Sequence, residues 1–177
     1  TRTVSGSIEN QNGGGCGVTK TGAGTLVITG ANTYSVTGHG TTISNGTLLV
    51  NNVSGSGTGT KPVNVKNGAT LGGTGSMSGL VTVDSGGHIA PGTSIGTLTM
   101  TGGMTLSHGS VFDFEANADT TSSDKIDVTG GTLTGTGTGG VTVNVNMSGT
   151  LSGSTTFTLM EWVAAAGVEI ADFNLNQ

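Results

Sequence analysis

A glycine that returns at near-regular intervals, behind an aliphatic-x-x lead and ahead of another aliphatic residue, restricts this chain more than any other feature. The pattern occurs at ISNGTLL (Ile43 to Leu49), VKNGATL (Val65 to Leu71), VDSGGHI (Val83 to Ile89), LSHGSVF (Leu106 to Phe112) and VTGGTL (Val128 to Leu133). The aligned residues are Gly46, Gly68, Gly86, Gly109 and Gly131, spaced 22, 18, 23 and 22 residues apart. That period suits one coil of a solenoid made of short strands and tight corners. Glycine, or Asn-Gly, supplies the positive φ of the corner. The flanking aliphatic residues turn inward and stack on those of the next coil.

Composition agrees with a narrow interior. Of 177 residues, 35 are glycine, 3% are aromatic and 8% are charged. Glycine costs about 1 kcal/mol per helical position relative to alanine, and Thr, Ser and Val favour strands and turns. Only Met160 to Ile170 can pass as helical. The expected class is all-β, a parallel β-helix with a bulkier C-terminal cap. The alternative is a β-sandwich of jelly-roll type, at least for the C-terminal half, where larger residues follow Leu98. Residues 1–99 are expected to form repeat coils, and residues 100–177 further coils and the cap, in one continuous domain.

Between the copies, Gly55 to Pro62 reads as a long corner or linker, Asn117 to Lys125 as an exposed polar loop, and Gly135 to Gly140 as a wide turn. Val141 to Met147 alternates as a half-buried strand should.

A formal net charge of -5 with five Lys and Arg leaves no basic stripe for nucleic acid. No apolar run approaches the roughly 20 residues needed to span a bilayer as a helix. No charged-then-apolar signal peptide opens the chain, and a first residue of Thr1 reads as a mature fragment or as a piece of something longer. Cys16, alone in GGGCG, is read as a turn residue rather than a nucleophile.

The residues from Val18 to Val50 resemble the passenger-associated repeat of bacterial autotransporters. Lys20, Gly22, Gly24-Thr25-Leu26, Gly30, Asn32-Thr33-Tyr34, Thr42-Ile43 and Gly46-Thr47-Leu48 follow that family's pattern. Gly73-Thr74-Gly75, Val81 to Gly92, Ser94 to Leu98 and Ser123 to Ile126 are similar to its downstream part. The resemblance implies a right-handed parallel β-helix, outside the cell or on the outer-membrane surface of a bacterium. Such stalks serve adhesion or carry effector domains. Nothing in the 177 residues has the alternating ten-residue strands of a membrane β-barrel translocator.

Several constellations can carry chemistry. Asp84-Ser85-Gly86 after Val81-Thr82-Val83 has the local form of an aspartic peptidase carboxylate, which needs a second carboxylate to share its proton. Asp119, Asp113 or the Asp84 of a second copy are the available partners. The repeat gives a competing account, since Ser44-Asn45, Lys66-Asn67 and Ser107-His108 fill the equivalent corner and make Asp84 one polar corner residue among several.

In PheAspPheGlu, strand alternation puts Asp113 and Glu115 on one face, a spacing compatible with a glycosidase or metal pair. Asp119, Asp124 and Asp127 can gather calcium around a loop, although the calcium-binding nonapeptide is absent. His39, His88 and His108 sit at different offsets from the aligned glycines, so stacking does not collect them into a zinc site.

The reading that covers most of the chain is an exported structural or adhesive module without a cofactor. Its exposed Thr, Ser and Asn ladders would meet extended glycans or glycoproteins of a host or matrix, as a monomer or a homodimer. The runner-up is an extracellular aspartic-type peptidase acting on surface glycoprotein and centred on Asp84.

Overall fold

A computed structural model describes residues 1–10, 15–35, 38–137, 139–150, 153–166 and 173–176. In chain order the strands are β1 (Arg2–Val4), β2 (Val18–Lys20), β3 (Thr25–Ile28), β4 (Thr41–Ile43), β5 (Gly46–Val50), β6 (Val63–Val65) and β7 (Ala69–Gly73). Then come β8 (Ser76–Met77), β9 (Val81–Val83), β10 (His88–Pro91), β11 (Thr97–Met100), β12 (Met104–Ser107), β13 (Val111–Asn117) and β14 (Ser122–Ser123). The last are β15 (Lys125–Val128), β16 (Leu133–Thr136), β17 (Val141–Ser148), β18 (Met160–Trp162), β19 (Ala165–Ala166) and β20 (Phe173–Asn176).

They form three faces of a parallel β-helix. Sheet A follows the order β1-β3-β5-β7-β10-β13-β17-β20, sheet B runs from β2 through β4, β6, β9, β12 and β16 to β19, and sheet C stacks β8, β11, β15 and β18. Every strand pair among the described residues is parallel except β13 with β14. The sandwich alternative for the C-terminal half is therefore corrected. Phe112 and Phe114 lie inside the coils and meet edge to face at 6.0 Å within one strand, while Trp162 is 43% exposed.

The sheet B strands show why small residues suffice. Strands β4, β6, β9 and β12 each have one outward residue between two inward ones, as in Val63-Asn64-Val65 and Val81-Thr82-Val83. The inward residues join one apolar column from Ile28 to Val143, built of Val, Ile, Leu and Met with the two Phe. The column passes through residue 99 without a break. Backbone pairing between coils supplies the hydrogen bonds that a thin core cannot replace.

The corner glycines have φ of +69° at Gly46, +71° at Gly68, +72° at Gly86, +80° at Gly109 and +66° at Gly131. The first four share the corner from sheet B to sheet A, where Gly68 donates to Gly86 O and Gly86 to Gly109 O. Gly131 is different. It turns between β15 and β16, beside Gly102 and Gly103, and the residue stacked on Gly109 is Gly140. The fifth copy was thus one corner out of place, because its coil is longer: paired residues lie 18 apart at Lys66 and Asp84 but 31 apart at Asp113 and Asn144.

Three segments differ from expectation. Residues 56–59 of the supposed linker are buried, with Ser56 Oγ bonding Gly59 O, and they fill the third side where sheet C has not yet begun. Gly135 belongs to β16 and not to a turn. Met160 to Ala166 forms two strands in place of a helix, because Ile126 and Val128 offer Met160 and Trp162 a parallel ladder. Residues 167–170 of that segment, and with them part of the expected cap, lie outside the described residues.

Candidate functional site

The family-like letters of the first coils turn out to be plugs. Lys20 is 7% exposed, and its Nζ donates to the carbonyls of Thr21, Gly22 and Asn45, tying one corner to the next. Asn32 accepts from Ile8 N at 2.7 Å and donates to Gly57 O, bridging three coils. Tyr34 is fully buried with its hydroxyl against Thr41 Oγ1, and burial pushes its pKa up. The family pattern contains all three residues, but nothing in local sequence says that they point inward.

Asp84 stands on a sheet B to sheet A corner, where its Oδ2 accepts from Lys66 Nζ at 2.9 Å. The two side chains are 38% and 46% exposed. An ion pair so exposed is worth at most about 1 kcal/mol. Asp84→Asn is therefore expected to shift the thermal midpoint by less than about 3 °C. A larger drop in a melting curve would mean that the corner depends on this charge.

Asp119 accepts from Thr150 N at 3.2 Å, and Asp113 accepts from His88 Nδ1 and Asn144 Nδ2, each at 2.6 Å. Asp84, Asp119 and Asp113 share no hydrogen-bond partner among the described residues. The calcium candidates also part company, since Asp127 faces Lys125 while Asp124 turns into the protein. Among the described residues no group of three or more His, Cys, Asp or Glu is placed to hold a metal ion.

What the structure assembles is a trough on the outer face of sheet A. Strands β10 and β13 pair at His88 with Val111 and Ile89 with Phe112, and then separate. Pro91 has no N–H for the ladder, and Gly92, at φ +81°, bends the chain out into Thr93 and Ser94. Strand β13 continues beside β17 as far as Asn117. The opening, of about 340 Å³, has Leu49, Thr70 and Ala90 on its floor side, the Pro91–Ser94 loop as a wall, and Asp113, Glu115, Asn144 and Asn146 along the far bank. A second depression of similar size shares Ser94, Glu115 and Asn146 and extends the trough past Ile95 to Ser148.

Asp124 makes the separation possible. Val111 donates its N–H to Gly87 O of the preceding coil, and strand alternation aims the Glu115 N–H the same way, where β10 is no longer present. An unpartnered N–H there would be costly. Asp124 Oδ2 accepts from Glu115 N at 2.7 Å, and Asp124 N donates to Glu115 O at 2.8 Å, so one residue stands in for the missing strand. Its Oδ1 accepts from Gly96 N at 2.8 Å, which fixes the loop wall. Asp124 is 1% exposed. Burial raises its carboxyl pKa, helped by the nearby charge of Glu115 and opposed by the two backbone N–H groups.

Asp113 and Glu115 are thus on one face, as alternation requires, and the face borders a groove. Asp124 was legible as a polar-loop residue, a calcium candidate and part of the family-like Ser123 to Ile126, but not as the partner of the Glu115 backbone. The hint that distinguishes it is Pro91-Gly92, which marks where the neighbouring ladder must stop.

Residues 18–50 match the model of the passenger-associated-transport-repeat. Over 120 residues, 68% of the chain, the sequence is 37% identical to an extracellular serine protease of Serratia marcescens. The matched stretch amounts to 10% of that protein.

Proposed function

From a parallel β-helix whose residues 18–50 are a passenger-associated-transport repeat, we propose a binding role: the chain is a stalk segment that holds extended glycans, free or on glycoproteins, in the trough of sheet A. The chain is an exported module, located outside the cell or at the outer-membrane surface. It spans about a tenth of the length of the curated relative, so a catalytic centre belonging to a larger protein can lie outside it. The observation that carries the binding role is the parting of β10 from β13, which leaves a groove where a uniform solenoid would present a flat face.

The groove suits a sugar chain on chemical grounds. Leu49 and Ala90 offer apolar surface for the C–H face of a pyranose, while Asn144, Asn146, Thr70 and Glu115 offer amide, hydroxyl and carboxylate partners for its hydroxyls. Shallow sites of this kind bind each unit weakly and gain from length. Partners of the whole protein would be host or matrix glycans, met by a monomer or a homodimer of this segment.

Isothermal titration of the purified chain with neutral oligosaccharides of increasing length tests the role. Affinity is expected to rise with length, and Asn146→Ala is expected to lower it about fivefold, the worth of one neutral hydrogen bond. Length-independent heats with no effect of Asn146→Ala would remove the trough from binding. Release of cleaved product from a glycoprotein, lost in Asp84→Asn, would favour the peptidase reading instead.

A further inference from the structure

Within the glycan-binding role, which the following rests on, we infer that the trough selects sugars bearing a free amine over neutral, N-acetylated and acidic ones. The opposite charges in and around the groove are unequal. Neither depression has a Lys or Arg in its lining. Glu115 is exposed on the bank that both share, opposite Asn146 in register, and its carboxylate accepts no hydrogen bond among the described residues. Asp113, on the same bank, has its Oδ1 bonded by the neutral amide of Asn144 and its Oδ2 by His88, which leaves Glu115 as the open carboxylate.

An ammonium group brings three donors to this bank, and the acceptors that face it are the Glu115 carboxylate and the Asn146 side-chain carbonyl. An N-acetyl group removes the charge and two of the donors. A uronate or sialate places a carboxylate against Glu115, in a chain whose formal net charge is already -5. A cationic peptide would answer the same charge. It lacks the ring faces that Leu49 and Ala90 accommodate, and where β13 parts from β10 the N–H and C=O of Glu115 are already taken by Asp124.

The test compares glucosamine tetramer, N-acetylglucosamine tetramer, a uronic acid oligomer and oligolysine by titration calorimetry, at a pH where the sugar amine is protonated. The amine tetramer is expected to bind about threefold to fivefold tighter than the acetylated one at low ionic strength, the size of an exposed charge pair, with the gap closing in high salt. The acidic oligomer is expected to bind weakest. Glu115→Gln is expected to erase the preference, so that the amine and acetylated tetramers bind alike, and Asp84→Asn, on its distant corner, to keep the preference.

Equal binding of amine and acetylated tetramers, or a preference that survives Glu115→Gln, overturns the inference while leaving glycan binding intact. Oligolysine binding as tightly as the amine tetramer also overturns it, because the groove would then read charge without the sugar. If no saccharide binds, both the glycan role and this selectivity fall.

Discussion

Lys20→Met is expected to destabilise the N-terminal coils by about 3 kcal/mol. Methionine matches the stem of lysine but carries no donor, so the carbonyls of Thr21, Gly22 and Asn45 lose the ammonium that joins them. A hydrogen bond to a charged group contributes about 1.5 to 3 kcal/mol, and the relief of no longer burying an ammonium offsets part of three such bonds. For a chain of this length the loss corresponds to a fall of about 10 °C in Tm. Solenoid coils depend mainly on their neighbours, so the loss should be local. Hydrogen exchange should quicken first in β2 through β5. Unchanged protection there, with a Tm within about 2 °C of the parent, would show that water replaces the ammonium without cost.

Asp124→Ala should cost a similar amount and also change the trough. It strips the acceptor from two N–H groups, Glu115 N and Gly96 N, each of which costs about 1 to 3 kcal/mol if left unpartnered. The wall of the trough hangs on the second of these bonds, so glycan affinity should fall along with stability. Asp124→Asn keeps one acceptor but turns an amide NH₂ against the other N–H, giving an intermediate loss.

The acid is also a pH probe. Its folded-state pKa is raised, chiefly by burial, so the folded chain holds the proton more tightly than the unfolded one. The stability this group contributes is complete below the ordinary aspartate pKa and is lost as pH rises through the raised folded value. Denaturation midpoints taken upward across that window should therefore show a component of falling stability that is absent from Asp124→Asn. Identical slopes in the two proteins would mean that the carboxyl titrates as it does in the unfolded chain.

The coil architecture was legible because it rests on local chemistry. Gly46, Gly68, Gly86 and Gly109 each need a positive φ at a corner, and the aliphatic residues around them can face only inward. The same logic put Asp113 and Glu115 on one face. It failed where coil length changed. Gly131 kept the expected interval by coincidence, while the true corner moved to Gly140 when β13 and β14 lengthened the coil.

The trough was illegible for a related reason. Its existence depends on two strands ceasing to pair, and its support, Asp124, comes from across the hairpin. No short window of sequence contains both facts. Lys20, Asn32 and Tyr34 were visible as letters of a pattern, yet their function of filling corners appears only when successive coils are stacked.

The antiparallel turn between β13 and β14 has a consequence for how such chains diversify. Residues 117–123 leave the spiral and return to it while Asp113 through Asn117 stay in register with the next strand. The ladder is indifferent to what happens at the tip, and lengthening a surface loop adds little closure entropy. This position is therefore a port at which foreign segments can be grafted or acquired. A segment inserted there would leave the β13–β17 ladder beneath it unaltered.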